Sequence, residues 1–340
     1  MKRVLNMRGR NIKIKEIFPS AAIEGGDIEI LGEGFLTSNY DTSEVKIGDR
    51  IAIKKFICED RIIAKVPDDV KNGKIIVQGV NGIEATANII LGERIADNLY
   101  CVDNPLIDDD GNWYVTFSGR RDEMPPVSVF RIKPNRLIES YISKIRNATS
   151  MALSKEGDLY VSSRFEGIVY KVYSADEVKV FAENLGVPTG IAVDKNGFLF
   201  VGDRTGKIYK ISPEKEVSIF AELPESLIAY HLALDPDENL FVAVPDISSV
   251  SSIYMIDKFG KSVVFYSGFG RPQGLAFDKK GNLYICEGKI GESSLWCIES
   301  NGNLRRIVAA PPIVGVAFDS KGNIGIATQN ALYLVPFNIK

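Results

Sequence analysis

The chain has 340 residues, with 41 Lys and Arg against 44 Asp and Glu and a formal net charge of −3. That balance excludes a nucleic-acid binder led by counterion release, which needs a strongly basic face. A composition of 45% hydrophobic and 25% charged residues excludes wholesale disorder. No run approaches the roughly 18 apolar residues of a membrane span, so no membrane partner is expected. Residues 1–10 carry positive charge without an apolar segment behind them. No secretory leader is read there, and the expected compartment is the cytoplasm unless a leader has been removed.

Residues 12–91 read as short strands separated by Gly, Asn and Asp turns. Ile14-Lys15-Glu16-Ile17-Phe18-Pro19 has the form of an edge strand ended by proline. Asp27-Ile28-Glu29-Ile30-Leu31 alternates and then breaks at Gly32 and Gly34. Glu44-Val45-Lys46-Ile47, Arg61-Ile62-Ile63-Ala64-Lys65, Lys74-Ile75-Ile76-Val77 and Ala87-Asn88-Ile89-Ile90 follow. Period-2 alternation with no helical stripe predicts a small β-sandwich. Its glycines are expected at turns that need positive φ.

The ordered series Phe18-Pro19, Gly25-Gly26, Gly32-x-Gly34-Phe35, Ile47-Gly48, Val66-Pro67 and Gly73 resembles the IPT/TIG family of immunoglobulin-like domains over residues 12–91. The family shares no catalytic residues. The resemblance therefore implies a spacer or interaction module with a protein partner.

Residues 93–340 follow a second pattern, and it repeats. An apolar strand, an Asp, two residues, a Gly and a second apolar strand recur at steps of about 41 residues. The marks are Asp108, Ser154, Asp194, Asp235, Asp278 and Asp319, with Gly111, Gly157, Gly197, Gly281 and Gly322 closing five of the turns and Glu238 the other. Asp is suited to cap the turn and Gly to take its left-handed position, while Ser154 caps more weakly. Two further strands follow each hairpin, as in Lys207-Ile208-Tyr209-Lys210-Ile211 and Val217-Ser218-Ile219-Phe220. Four strands per repeat and six repeats predict a six-bladed β-propeller. The last blade has three clear strands, and an unpaired edge is a liability, so residues 94–101 are expected to supply the fourth. The fold class read from the sequence is all-β, an Ig-like sandwich followed by a propeller.

In such a blade the innermost strand begins at one face, so the position five before each mark lines a central funnel: Asp103, Thr149, Thr189, Tyr230, Gln273 and Val314. The next position carries Asn104, Ser150, Gly190, His231, Gly274 and Gly315, and the exits of the second strands add Ser163, Arg164, Asp203, Arg204, Glu287 and Thr328. Converging polar groups of this kind make a candidate ligand site. His231, the single histidine, is a candidate acid or base, with Asp203 and Glu287 as carboxylate partners. Arg164 and Arg204 share one offset in adjacent blades, and Arg120-Arg121 lies on the corresponding loop of blade one. Together they form a candidate collar for an anionic ligand. Gly202-Asp203-Arg204-Thr205-Gly206-Lys207 is one residue short of a phosphate loop and lacks the following Ser or Thr.

The repeat region resembles six-bladed propellers of the NHL and gluconolactonase/regucalcin (SGL) type. The gluconolactonase resemblance implies a divalent cation, Ca²⁺, Zn²⁺ or Mg²⁺, held by oxygen ligands and used to polarise a lactone carbonyl. Asp103-Asn104-Pro105 matches the family's opening Glu-Gly-Pro element with Asp for Glu, which makes Asp103 the carried-over metal ligand. Pro188-Thr189-Gly190 stands where the family has Pro-Asn-Gly, and Pro272-Gln273-Gly274 or Tyr230-His231 where it has the catalytic Asp. Neutral groups thus replace the other ligands. The reading is a binding or interaction propeller that takes a small molecule or peptide in its funnel, with Asp103, Asn104, Thr149, Thr189, Tyr230, His231, Gln273, Arg164 and Arg204 as ligand-binding residues. The alternative is a metal-dependent lactonase or related hydrolase acting on a small ester or lactone. Cys58, Cys101, Cys286 and Cys297 show no metal-type spacing and are expected as reduced thiols, the last two on neighbouring strands but out of register.

Overall fold

The computed structural model describes residues 12–36, 43–79, 82–247, 250–289, 291 and 293–336, and every regular element among them is a strand. Residues 1–10, over which the absence of a leader is read, lie outside them. The chain divides into two compact units, Met1–Glu93 with Arg306–Pro311, and Arg94–Arg305 with Pro312–Lys340.

In the first unit, Lys13–Phe18, Asp27–Glu33, Arg61–Lys65 and Ile53–Ile57 form one antiparallel sheet in that order. Arg50–Ile51, Glu44–Ile47, Lys74–Gln78 and Glu84–Asn88 form a second. The alternation decides which residues meet: Ile28, Ile30, Ile62 and Ala64 of one sheet share a core with Val45, Ile47, Ile75 and Val77 of the other. Lys13–Phe18 lies at a sheet edge and stops at Pro19. The glycines divide in a way that alternation does not show. Gly25, Gly34 and Gly48 have positive φ. Gly32 instead sits where a Cβ would stand 2.0 Å from the Lys13 carbonyl oxygen, beside the register shift between Ile14 and Glu16, so close approach and not φ selects it. Ala21–Ala22 pairs in parallel with Ile90–Leu91 on one side and with Val308 and Ala309 on the other.

The second unit is a ring of sheets, each beginning at its innermost strand. Those strands are Leu106–Ile107, Ala148–Leu153, Pro188–Val193, His231–Leu234, Pro272–Phe277 and Ile313–Phe318. Each neighbours the next, and Leu106–Ile107 touches both Ala148–Leu153 and Ile313–Phe318, so these strands follow one another round a closed ring. In the last blade Ile313–Phe318, Ile324–Thr328 and Leu332–Val335 are followed outward by Glu93–Ala96, and Leu99 N and Cys101 N donate to Asn330 O and Gln329 O. Blade five contributes Pro272–Phe277, Leu283–Glu287 and Ser294–Ile298; the strand Leu304–Ala309 that follows runs on into residues counted with the first unit.

The repeated turn has one mechanism. Asp278 Oδ1 accepts from Lys280 N at 2.8 Å and Asn282 N at 2.9 Å, and its Oδ2 accepts from Asn282 Nδ2 at 2.7 Å. Gly281 takes φ +78° in open space. Glu238 adopts φ 65° at the equivalent place, a conformation that costs a non-glycine residue roughly 1–2 kcal/mol, and its carboxylate accepts from Lys195 N of the neighbouring blade. Between blades the second-strand aromatics pack edge to face, as in Phe241 against Phe277 and Tyr284 against Phe318. Gly325 holds that position in blade six because the Trp113 ring of blade one fills it.

All four cysteines are free thiols; Tyr284 pairs with Cys297 and Cys286 with Leu295, so the two cysteines are not opposed. Burial pushes the thiol of Cys101 up to about 12 and that of Cys297 to about 11. At pH 8 a disulfide reagent such as DTNB is expected to titrate a single thiol, the half-buried Cys58, in the native protein and four after unfolding; more than one rapid native equivalent would contradict this burial. Asp278→Ala is expected to lower unfolding stability by about 1.5–3 kcal/mol, since it removes charge-assisted bonds from a closed turn. A urea titration showing a loss of a few tenths would contradict the role given to the repeated Asp.

Candidate functional site

Because the sheets are antiparallel and each starts at its innermost strand, two sets of loops share the face where those strands begin. One set joins second to third strands, the other joins blade to blade; the Asp turns lie on the opposite face. The funnel positions read from the sequence all start on this loop face. Three of their polar groups, on Asn104, Ser150 and Thr189, tie innermost strands to one another.

Asn104 Nδ2 donates to Leu275 O at 2.7 Å while its Oδ1 accepts from Val316 N at 3.0 Å, linking blades five and six. Thr189 Oγ1 accepts from Tyr230 N at 2.8 Å, and Ser150 Oγ from Ile191 N at 3.1 Å. Thr149 donates its hydroxyl to Asn147 O and accepts at its carbonyl from Thr116 Oγ1. Tyr230, expected among the ligand-binding residues, is instead fully buried: its hydroxyl donates to Pro224 O, and burial pushes its pKa up. The Gln273 amide nitrogen lies 2.3 Å from where a Cβ on Gly288 would stand. Val314 packs with the apolar cluster around Trp113 and Leu332.

The structure brings Asp103 and His231 together. His231 Nδ1 lies 2.7 Å from Asp103 Oδ1, with side-chain exposures of 2% and 4%. Their blades, one and four, are opposite in the six-membered ring, so this hydrogen bond crosses the hub. Cys286, which the sequence pattern did not single out, lies close by: burial raises its thiol pKa well above the usual range, and the carboxylates of Asp103 and Glu287 add to that effect.

Asp203 and Glu287, expected as carboxylate partners of His231, cap loops instead. Asp203 Oδ1 accepts from Val187 N and Thr205 N, and its Oδ2 from the Thr205 hydroxyl. Glu287 accepts from Gly270 N, Arg271 N and Lys289 N at 2.7–2.8 Å. Every oxygen of the two carboxylates already accepts at least one bond from its own loop, which commits both groups to holding the backbone.

A hard cation needs six or more oxygens. Asp103, the expected metal ligand, offers its carboxylate to His231, and the neighbouring Asn104 and Thr189 oxygens already accept backbone N–H groups. Among the described residues no group of three or more His, Cys, Asp or Glu side chains is placed to hold an ion. The donor set does not fit a gluconolactonase-type cation.

Arg164 and Arg204 emerge above this hub as half-buried side chains on adjacent loops. Among the described residues, the Arg204 guanidinium has one long contact, 3.5 Å from Nη1 to Leu227 O. Burial lowers the Arg164 pKa, with Tyr100 opposing the shift and Arg204 and Arg121 adding to it. Tyr100 was missed in the sequence; it belongs to the closing segment, where its bridge to Phe117, its ring contact with the same residue and the bond from Ser118 N to its carbonyl place it.

No protein-family model matches this sequence, and no curated protein does. Solved structures do. An auxiliary nutrient binding protein from Bacteroides ovatus is 14% identical, with 97% of this chain and 99% of that chain covered and a TM-score of 0.56. Virginiamycin B lyase from Staphylococcus aureus is 15% identical over 92% of this chain and 100% of that one, with a TM-score of 0.52. A gluconolactonase from Xanthomonas campestris is 14% identical over 71% of this chain and 88% of that one, with a TM-score of 0.59. At these identities the likeness shows the fold, an all-β chain containing a propeller of the kind found in gluconolactonase-like proteins and virginiamycin B lyase.

Proposed function

We propose that the second unit is a ligand-binding propeller whose loop face takes a small molecule, and that the first unit, an IPT/TIG-type sandwich, is an interaction module for a protein partner. Within the propeller class we assign the second unit to the six-bladed NHL and gluconolactonase-like type with a degraded metal-ligand ring. The observation that carries this reading is the buried bond between His231 and Asp103: the one carboxylate that the gluconolactonase comparison supplies is turned to a histidine across the hub. The lip is rigid and already hydrogen-bonded, which suits a preformed binding surface. The nutrient binding protein that shares the fold supports the same reading.

The second reading, a metal-dependent lactonase, is favoured by the likeness to a gluconolactonase and by the Asp103-Asn104-Pro105 element. Rate measurements separate the two. Supplied with Ca²⁺, Zn²⁺ or Mg²⁺, the chain is expected to hydrolyse glucono-δ-lactone no faster than the metal and buffer alone. Metal-dependent turnover that disappears in Asp103→Ala would replace the binding reading with the hydrolase.

A further inference from the structure

The loop face carries three guanidiniums whose backbones are fixed. Arg164 and Arg204 are each the first residue beyond a second strand, Leu159–Ser163 and Leu199–Asp203, in adjacent blades. Arg204 N donates to Val187 O at 3.3 Å, and Arg204 O accepts from Ser226 N at 2.8 Å. Beside Arg164, Ser163 Oγ donates to Arg146 O at 2.6 Å and accepts from Glu166 N at 3.2 Å. Arg121 lies on the equivalent loop of blade one, where the fully buried Asn147 holds both flanks. Asn147 Nδ2 donates to Ser118 O and Arg120 O, and its Oδ1 accepts from Asp122 N.

Three carboxylates on these loops are engaged elsewhere. Asp122 pairs with Arg146 at 3.1 Å, Glu166 accepts from the Tyr170 hydroxyl at 3.0 Å, and Asp203 caps its own loop. None of Arg121, Arg164 and Arg204 makes an ion pair among the described residues, and none has an interaction beyond those given. The charges felt by Arg164 are two more guanidiniums and the Tyr100 phenol, and burial strips part of its hydration as well. A guanidinium that loses water without gaining a carboxylate favours an incoming oxyanion, which it meets with charge-assisted and often bidentate hydrogen bonds. Apolar groups border the same loops: Phe165 is 38% exposed, Leu227 67% and Ile247 79%.

We infer that Arg121, Arg164 and Arg204, with the Tyr100 hydroxyl, form an oxyanion site on the propeller's loop face for a small organic anion whose apolar part lies against Phe165 and Leu227. This rests on the loop-face binding reading and narrows it to ligands with a carboxylate or phosphate group. The same residues explain why the face is built of stiff capped turns: a planar fork recognises an oxyanion only when its stem is held in place.

Calorimetric titration of the full chain at low salt with phenylacetate, its neutral isostere phenylacetamide and inorganic phosphate tests the site. Phenylacetate is expected to bind at least tenfold more tightly than phenylacetamide. R164Q and R204Q are each expected to weaken phenylacetate at least tenfold and leave phenylacetamide unchanged. Phosphate binding lost in the same variants, with no phenylacetate binding, also supports the oxyanion site and assigns it a tetrahedral head group. No binding of either anion by the wild-type chain, or binding unchanged in both variants, overturns it. Phenylacetamide bound as tightly as phenylacetate by all three proteins overturns the oxyanion site while leaving the ligand-binding reading intact.

Discussion

Six strands that begin around one hub have to approach more closely than most side chains allow, and this crowding decides what each lip position carries. A Cβ on Gly190 would stand 2.6 Å from Tyr230 O, one on Gly274 2.2 Å from Asn104 Oδ1, and one on Gly315 2.4 Å from Asp103 O. Where a polar side chain does fit, it can meet a backbone group of another blade, as with Asn104, Ser150 and Thr189. His231 is the exception, a large polar ring at a position that is glycine in three other blades, and it is accommodated by reaching Asp103 across the hub. Buried polar groups in such a place must be paired, because leaving one unsatisfied costs several times what a typical hydrogen bond contributes.

That crowding separates two layers with different chemistry. At the hub the hydrogen-bonding capacity is taken up between blades and across the ring, which makes it stiff and leaves little for a substrate. Above it, loops whose backbones are capped by Ser163, Asp203 and Glu287 hold long cationic side chains in partial contact with water. The carboxylates and hydroxyls at the ends of the second strands thus fix the geometry of the loop face. Asp203 also explains the chain path beside it: a Cβ on Gly186 would stand 2.3 Å from its Oδ2.

The repeat was legible because its turn has a local cause. An Asp, or Ser154 in blade two, that caps its own backbone and a residue with positive φ three positions later recur wherever a first strand meets a second, even where Glu238 replaces Gly. The alternation of Asp27–Glu33 likewise predicted which side chains enter the sandwich core. What was not legible is long-range. Nothing near residues 306–311 indicates that Val308 and Ala309 pair with Ala21 and Ala22. Gly32 looks like a turn glycine until the Lys13 carbonyl is placed beside it. At the site, the ring position brought Asp103 and His231 to one face, but their direct bond depends on side-chain reach across the ring. Asp203 and Glu287 looked catalytic because a carboxylate has the same spelling whether it faces the hub or caps a loop.

The central physical claim is that Asp103 and His231 act as a structural bridge across the hub. A double-mutant cycle with Asp103→Asn, His231→Gln and the double variant, followed by urea unfolding, measures it most directly. The account predicts that each single variant is destabilised and that the pair is coupled by at least about 1 kcal/mol, because they share one buried bond. Losses that add to within about 0.3–0.5 kcal/mol, the behaviour of independent sites, would contradict it.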